Sequence, residues 1–527
     1  MKPTPLFDAA RPHETVATAP KEEAHTLPVP PAPLEPSAVR SIIAGIMLAM
    51  FLSALEQTII APALPTIGVR LGDIENLSWV VGAYLLSATA VTPLFGKLSD
   101  IYGRRSILLT GVTIFMVGSA ACALAPTLWA LAAARALQGI GGGGILPIAQ
   151  AIIADLVSPR ERPRYQAQSA VMFMMASIIG PLLGGFLTDH LHWSLIFWIN
   201  VPMGALALVM TYRALERLPR NERPHRLDWA GVVLMVGAAL ALMLAMAWGG
   251  VRYPWGSSPI LLLIAGSAAL WALFAWRLMA AAEPFIPPAV LRQPVVAGCA
   301  TAGFFSIGTI IGLSMYVPLH LELVLGASAS MSGLVLIAFT VGTVAGSFSA
   351  GRALGRHTHY LRMPMAGLVV AILALAAMAL FGASLSLGGV AGLLFLCGAG
   401  IGPMYPMTTV LIQNAVLPHQ FGVATGTLNF FRLLGGTIVV AGFGAIVLGT
   451  IDGSGGRIVI EHLSHSGGGG QGNLSDFAAA FAWVFAAAGA CLAVALVALA
   501  FFEERPLRGP STARPQAAAA ESRIAAE

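Results

Sequence analysis

Long apolar runs follow one another from Ser41 to Phe502, separated by short polar stretches. Each run has roughly twenty residues or more, which lets an α-helix cross the ~30 Å hydrocarbon core of a bilayer. Only 10% of the 527 residues are charged, whereas soluble domains typically carry about 25% charged residues. The chain is therefore expected to be an all-α polytopic membrane protein, and a soluble fold is excluded.

Fourteen membrane-spanning helices are predicted from these runs. The division between the eleventh and twelfth helices is placed at Ser384 to Leu387. The predicted spans are 41–63, 77–96, 107–125, 128–154, 166–188, 194–214, 228–248, 259–281, 295–324, 330–351, 363–383, 385–411, 422–450 and 476–502.

Lys and Arg are distributed unequally between the predicted loops. Most of them fall on the side that carries both termini, and the loops of the other side hold only Arg70, Arg252 and Arg457. Cytoplasmic loops carry an excess of Lys and Arg. The sequence therefore predicts a protein of the cytoplasmic (inner) membrane with both termini in the cytoplasm.

The predicted spans divide into two groups of six joined by two linking spans. An arginine-rich loop over 212–227 ends the first group, and GPLLGG (180–185) is echoed by FFRLLGG (430–436) eight spans later. Transporters built from paired repeats bind substrate between the repeats, near the membrane midplane. The expected domains are a disordered cytoplasmic tail (1–40), a six-helix bundle (41–214), a linker with two spans (215–290), a second six-helix bundle (291–502) and a disordered cytoplasmic tail (503–527).

The stretch GKLSDIYGRR, 96–105, links the second and third predicted spans. Glycine permits close backbone approach and a tight reversal, and an aspartate can cap a helix or pair with a basic residue. A turn that only places positive charge at the inner leaflet is the alternative, but it would not account for the glycines and the aspartate. The predicted inner gate consists of Gly96, Lys97, Asp100, Gly103, Arg104 and Arg105.

Six stretches in sequence order carry a family resemblance: ALEQTIIAPALPTI (54–67), WVVGAYLLSATAVTPLFGKLSD (79–100), GKLSDIYGRR (96–105), RALQGIGGGG (135–144), GPLLGG (180–185) and FWINVPMG (197–204). They resemble the fourteen-helix drug:proton antiporter branch of the major facilitator superfamily, and the resemblance covers roughly 40–500. It implies two six-helix bundles plus two linking helices. The chain has Glu56 where that branch usually has aspartate, and Ile101 where it often has a basic residue.

Glu56 places a carboxylate inside the first apolar span, at a cost of about 2.5–3.5 kcal/mol on insertion scales. At about 1.5 Å per residue, Glu56 and Arg135 lie at similar depths, roughly 20 Å from the inner face. The resemblance implies that an acid at this position couples protons to export. We predict that Glu56 and Arg135 form the site of proton coupling and substrate binding. A static ion pair that only fixes helix packing is the alternative.

The fifth span contains the predicted antiporter motif, formed by Gly180, Pro181, Gly184 and Gly185. Proline removes a helix hydrogen bond and kinks a span, while glycines let another helix pack closely. The resemblance implies that this motif shapes the outer gate and opposes leak. A small-residue packing face without a transport role is the alternative.

Polar residues inside other spans are candidates for the lining of a cavity. Arg432 lies in the thirteenth span near the membrane midplane, where it could oppose anions or bind substrate. Packing of Arg432 against a carbonyl is the alternative. For Glu322, the alternative to a place in the cavity is a solvated position at the membrane interface. The predicted cavity residues are Gln138, Tyr316, Glu322, Asn429 and Arg432, with Asn200, Gln413 and Asn414 as further candidates.

The resemblance implies a proton-coupled antiporter that exports drugs or other amphiphilic or cationic small molecules by alternating access. The alternative is an exporter of one metabolite, antibiotic or siderophore on the same fold. No enzymatic activity is expected, because the spans show no nucleophile–base pair and no histidine cluster. No cofactor or metal is expected beyond the proton gradient. The expected partners are the substrate, protons and membrane lipids but not nucleic acid, and no sequence feature supports a periplasmic adaptor.

Overall fold

The structure is a computed structural model that describes residues 36–73, 76–159, 161–214, 227–250, 252–281, 283–354, 360–450 and 474–501. Both predicted tails lie almost wholly outside these residues, and so does most of the arginine-rich loop. In the described part of the chain, fourteen helical segments are long and apolar enough to cross a membrane. The all-α prediction and the number of spans are confirmed.

The helices are numbered in chain order. Their bounds are α1 Pro36–Ile59, α2 Leu64–Leu71, α3 Ser78–Tyr102, α4 Arg104–Ala123, α5 Leu128–Leu156, α6 Arg162–His190, α7 Leu195–Trp198, α8 Asn200–Ala214, α9 Trp229–Trp248, α10 Ser258–Ala280, α11 Pro288–Leu291, α12 Pro294–Leu323, α13 Ala329–Leu354, α14 Arg362–Phe381, α15 Leu387–Ile401, α16 Met404–Ala415, α17 Phe421–Thr450 and α18 Leu474–Ala500.

Three spans are interrupted helices. The first consists of α1 and α2 with a 3-10 turn, Ala61–Ala63, between them. Pro62 and Pro65 fall in the first turns of the segments that follow each break, where a missing N–H costs nothing. The sixth span consists of α7 and α8, and the twelfth of α15 and α16. The predicted division between the eleventh and twelfth spans is confirmed, because α14 ends at Phe381 and α15 begins at Leu387.

The prediction of a loop over 96–105 was wrong in extent. Helix α3 continues to Tyr102 and α4 starts at Arg104, so that Gly103 alone joins them. Gly103 has φ +90°, a conformation that residues with a Cβ atom rarely adopt. One glycine thus provides the whole reversal, and the residues on either side of it stay helical.

The helices of the first half (α1–α8) and of the second half (α12–α18) each pack mainly among themselves. In the first half α3 and α4 pack against α5, and in the second α12 packs against α17 and α13 against α15. The halves meet where α3 contacts α17 and α6 contacts α13. Helices α9 and α10 pack against each other, and α9 covers α3 and α17 from outside. The domain boundaries given above stay a prediction.

Candidate functional site

Glu56 lies at the start of the last turn of α1 and is completely buried. One carboxylate oxygen, Oε1, accepts a hydrogen bond from Arg135 of α5 and forms an ion pair with it. The other oxygen, Oε2, accepts a hydrogen bond from the amide of Asn200, the first residue of α8. The predicted pair is therefore present in the structure, and a third helix completes it.

Arg135 is also buried, and two further hydrogen bonds hold it within the first half. Its Nε donates to the carbonyl oxygen of Val80 on α3 at 2.9 Å, and one terminal nitrogen donates to Oε1 of Gln138 at 2.6 Å. The amide of Gln138 in turn donates to the hydroxyl of Ser119 on α4 at 2.6 Å. Gln138, which was predicted to line a cavity, thus belongs to the surroundings of Glu56.

Aromatic rings and aliphatic side chains enclose this polar group. The guanidinium carbon of Arg135 lies 4.4 Å from the ring centre of Tyr84 and 5.8 Å from that of Phe197. Buried Leu55 and Ile59 flank Glu56 along α1. With little water near it, the carboxylate depends on Arg135 and Asn200 for its stabilisation. Such a site can hold one negative charge as an ion pair, or one proton without that pair.

Two of the four antiporter-motif residues pack against the end of α1, two and three residues after Glu56. A Cβ atom added at Gly180 would lie 2.1 Å from Oγ1 of Thr58, and one at Gly184 would lie 2.1 Å from the carbonyl oxygen of Ile59. Thr58 also donates to the carbonyl oxygen of Ala176 at 2.8 Å, which ties α1 to α6.

The other two motif residues lie on a different face of α6. Pro181 is exposed, and an added Cβ at Gly185 would meet no atom within 4 Å. Of the four motif residues, Gly180 and Gly184 are therefore the two that allow α6 to pack closely against α1.

Asp100 joins the two halves at the end of the molecule where α3 meets α4. Its Oδ1 accepts the backbone N–H of Gly422 at 3.0 Å, and its Oδ2 accepts that of Val423 at 2.7 Å. Both N–H groups belong to the first turn of α17, where no carbonyl within the helix can accept them. A carboxylate is favoured at this position, since the helix dipole adds to the hydrogen bonds.

Arg104 and Gly96 complete this contact. Arg104 pairs with Asp100 and, through its Nε, with Asp155 of α5 at 3.0 Å. A Cβ added at Gly96 would lie 2.3 Å from the carbonyl oxygen of Gly422, so only glycine lets α3 approach α17 this closely. Four of the predicted gate residues, Gly96, Asp100, Gly103 and Arg104, thus shape one closed contact between the halves.

The remaining two predicted gate residues lie apart from the hydrogen bonds to α17. The guanidinium of Arg105 lies 4.4 Å from the ring centre of Tyr212 on α8. Lys97 is partly buried on α3, and the negative charges of Asp100 and Glu283 stabilise its positive charge.

Arg432 is a buried arginine on α17, in the second half of the molecule. One terminal nitrogen donates to the carbonyl oxygen of Tyr405 at 2.8 Å and to the hydroxyls of Thr408 and Thr409 at 2.6 and 3.0 Å. The other donates to Oδ1 of Asn429 at 3.1 Å. The contact with a carbonyl that was predicted as the alternative for Arg432 is thus present, at Tyr405.

Gln150 of α5 connects Arg432's surroundings to the first half. Its amide nitrogen donates to the hydroxyl of Tyr405 at 2.9 Å, and its Oε1 accepts from Asn429 at 2.7 Å. Its backbone carbonyl accepts from Gln413 at 3.2 Å. Sequence reasoning missed Gln150 and Tyr405, although a glutamine in the middle of an apolar run was a visible signal.

Tyr316 and Glu322 are two further candidate cavity residues, and both lie on α12. Tyr316 is buried in the second half, with its hydroxyl 3.4 Å from the carbonyl oxygen of Val440. Glu322 is partly buried in the last turn of α12. Within the described ranges, no group of three or more His, Cys, Asp or Glu side chains is placed to hold a metal ion.

Comparison with known sequences identifies the family. The chain matches the Major Facilitator Superfamily over residues 46–234 and 214–440. An uncharacterized MFS-type transporter of Mycobacterium tuberculosis is 36% identical over 419 residues, which are 80% of this chain and 61% of that relative. The chain thus spans about three fifths of that relative's length. Multidrug resistance protein 3 of Bacillus subtilis is 32% identical over 412 residues, which are 78% of this chain and 80% of the relative.

Solved structures share the fold. The proton:xylose symporter XylE aligns with a TM-score of 0.60 and 14% identity over 90% of this chain and 98% of its own. The human organic anion transporter MFSD10 aligns with a TM-score of 0.58 and 18% identity over 88% of this chain and 100% of its own. The spans, the packing and the sequence matches agree, and the chain belongs to the Major Facilitator Superfamily of membrane transporters.

Proposed function

We propose that this transporter is a proton-coupled antiporter that exports amphiphilic small molecules, cations among them, across the cytoplasmic membrane by alternating access. The observation that carries the proposal is the complete burial of Glu56 with Arg135 and Asn200 as its partners. A carboxylate in such a place is stabilised by its ion pair, and a protonated carboxyl group needs none. Binding and release of one proton at Glu56 therefore change the ion pair with Arg135 and the hydrogen bond with Asn200, which join α1 to α5 and α8.

The proton step follows from this geometry. A proton that enters from outside adds to the Glu56 carboxylate and gives a neutral carboxylic acid. The ion pair is lost, and Arg135 keeps its hydrogen bonds to Val80 and Gln138. When the proton leaves toward the cytoplasm, the carboxylate forms again and the ion pair closes. A cationic substrate that competes with Arg135 for the carboxylate would promote proton release, which is the exchange that an antiporter requires.

The contacts of Asp100 supply the gate in this proposal. We assign the closed end at Asp100 to the cytoplasmic side, in agreement with the Lys and Arg distribution. The described conformation is then closed toward the cytoplasm. Opening requires that Gly422 and Val423 separate from Asp100, so the free energy of this contact opposes opening of the cytoplasmic side.

The relatives' names support export of several compounds. Multidrug resistance protein 3 and the multidrug transporter MdtP, both of Bacillus subtilis, are each 32% identical to this chain. For this chain we accordingly propose multidrug export, with export of a single metabolite as the alternative. A panel of lipophilic dyes and drugs, compared with single metabolites in vesicles, separates the two.

The test of proton coupling is substrate-induced proton release from the protein reconstituted in vesicles. Wild-type protein should release protons when a transported dye is added, and Glu56→Gln should release none while still binding the dye. Asp189→Asn is the matched control, because Asp189 is an exposed carboxylate on α6. Undiminished proton-driven export by Glu56→Gln would refute the role given to Glu56.

A further inference from the structure

Arg432 is a buried cation without a carboxylate partner among the described residues. It is 2% exposed, and its acceptors are the neutral oxygens of Tyr405, Thr408, Thr409 and Asn429. Its Nε has no acceptor in the described part of the chain. Arg135 differs in this respect, because Glu56 neutralises it.

A buried charge without a counterion is costly, and hydrogen bonds to neutral oxygens offset only part of that cost. The positive charge at Arg432 therefore favours any anion that can reach it. Guanidinium groups bind carboxylate, sulfonate and phosphate groups through two parallel N–H donors. At Arg432 only the Nε–H is unused, and the adjacent terminal nitrogen would complete such a pair by giving up one of its neutral acceptors, Tyr405, Thr408 or Thr409.

Arg432 lies close to the contact between the two halves, so separation of the halves during alternating access would expose it to a substrate. Tyr405 lies on Arg432, with the guanidinium 4.4 Å from its ring centre, and its hydroxyl binds Gln150 of the first half. The ring of Phe173 on α6 stands 6.4 Å from that of Tyr405. When the halves separate at Gln150, the Tyr405 and Phe173 rings and Arg432 are uncovered together. Substrates bind between such halves.

We propose that Arg432, Tyr405 and Gln150 form a recognition site for an acidic group on the substrate. The site would take amphiphilic acids and zwitterions, in which a carboxylate, sulfonate or phosphate is joined to an apolar body. The acidic group binds Arg432, and the apolar body contacts the Tyr405 and Phe173 rings. The inference rests on the proposed export function and names a substrate class for it, with the cationic group of a zwitterion left for Glu56.

Three probes that differ in one charged group test this site. Dansylglycine is an acid, dansylglycinamide is its neutral analogue, and N-dansylethylenediamine is a cation. Binding to the purified full-length protein is measured by energy transfer from its ten tryptophans. An excess of the tosyl analogue of each probe, which carries the same charged group but no dansyl fluorophore, serves as competitor to correct for partition into detergent. The wild-type protein should bind the acid at least about tenfold more tightly than the neutral amide, a difference of about 1.4 kcal/mol.

Substitutions at Arg432 should change this ratio in a defined order. Arg432→Gln should bind the acid and the amide equally, and Arg432→Lys should keep part of the preference, because it retains the charge but loses the paired donors. Arg162→Gln is the matched control. Arg162 is also buried, donates to the carbonyl oxygens of Ala154 and Val157, and lies 4.9 Å from the ring centre of Phe421. The ratio of the affinities for the acid and the amide should be the same in Arg162→Gln as in the wild type.

Two results would overturn the proposal. One is equal binding of acid and amide by the wild type, which needs no variant to fold. The other is an undiminished preference in Arg432→Gln, which would place acid recognition elsewhere. A different result would refute the proposed export function. If acid binding depends on Arg432 but no probe drives proton release, the recognition site stands and proton-coupled export does not.

Discussion

At the scale of single residues, Glu56 and Arg135 act as a unit. Each is buried with the other as its only oppositely charged partner in the described part of the chain. Removing one member of a buried pair leaves an uncompensated charge, which costs about 3–5 kcal/mol, whereas replacing both is far less harmful. The stability of the pair and its role in coupling can therefore be measured separately.

We expect Arg135→Gln to destabilise the protein by about 3–5 kcal/mol, because it leaves the Glu56 carboxylate with only Asn200 as a partner. The double variant Glu56→Gln/Arg135→Gln should recover most of this loss. Thermal unfolding in detergent, followed by circular dichroism, measures both. Effects of the two substitutions that simply add would contradict direct coupling between the side chains.

The sequence predicted the Glu56–Arg135 pair but not its setting. Helical rise gives the depth of each residue along its span, and equal depth made the pairing a reasonable prediction. The sequence indicated Asn200 only as a candidate cavity residue and did not indicate Ser119, because rise does not tell which way a side chain points. Their place beside Glu56 and Gln138 depends on how α4 and α8 are rotated about their own axes.

At the scale of helices, two glycines of α6 let it pack closely against Thr58 and Ile59 at the end of α1. Gly184 leaves no room for a methyl group against the carbonyl oxygen of Ile59, whereas Gly185, the next residue, has open space. Gly184 and Gly185 are adjacent in sequence on the same helix, and their packing differs. The pair therefore separates the effect of a methyl group from that of helix propensity.

We expect Gly184→Ala to cost about 1–3 kcal/mol through overpacking against α1 and to reduce proton-coupled export. Gly185→Ala should keep or slightly raise stability, since alanine is the better helix former. Thermal unfolding and dye export from vesicles measure the two effects. Equal behaviour of the two variants would contradict the assigned contact between α6 and α1.

At the scale of the whole molecule, closure at the Asp100 end depends on the contact of α3 with α17. Gly96 allows this contact, because its Cα lies against the backbone of Gly422. Gly82, on the same helix, has no atom within 4 Å of an added Cβ and provides the control. A substitution at Gly96 should therefore shift the balance between closed and open conformations without changing the rest of α3.

We expect Gly96→Ala to favour the open conformation by about 1–3 kcal/mol, a factor of about 5–150 in its population. Spin labels at Tyr102 and Leu417, both exposed, should then show an added population at longer distances in pulsed electron resonance. Gly82→Ala should leave the distance distribution unchanged. An unchanged distribution in Gly96→Ala would show that this contact does not hold the end closed.

The sequence by itself determined the membrane-spanning class, the fourteen spans, and the positions of Glu56, Arg135 and Arg432 within spans. Apolar length and helical rise are local properties, so they can be obtained from residues that are close together in the chain. The tertiary structure alone decided that Asp100 holds Gly422, which is 322 residues later, and that Gln150 joins Tyr405 and Asn429. Such partners depend on the rotation of each helix and on how the two halves meet, and both are set by packing over the whole molecule.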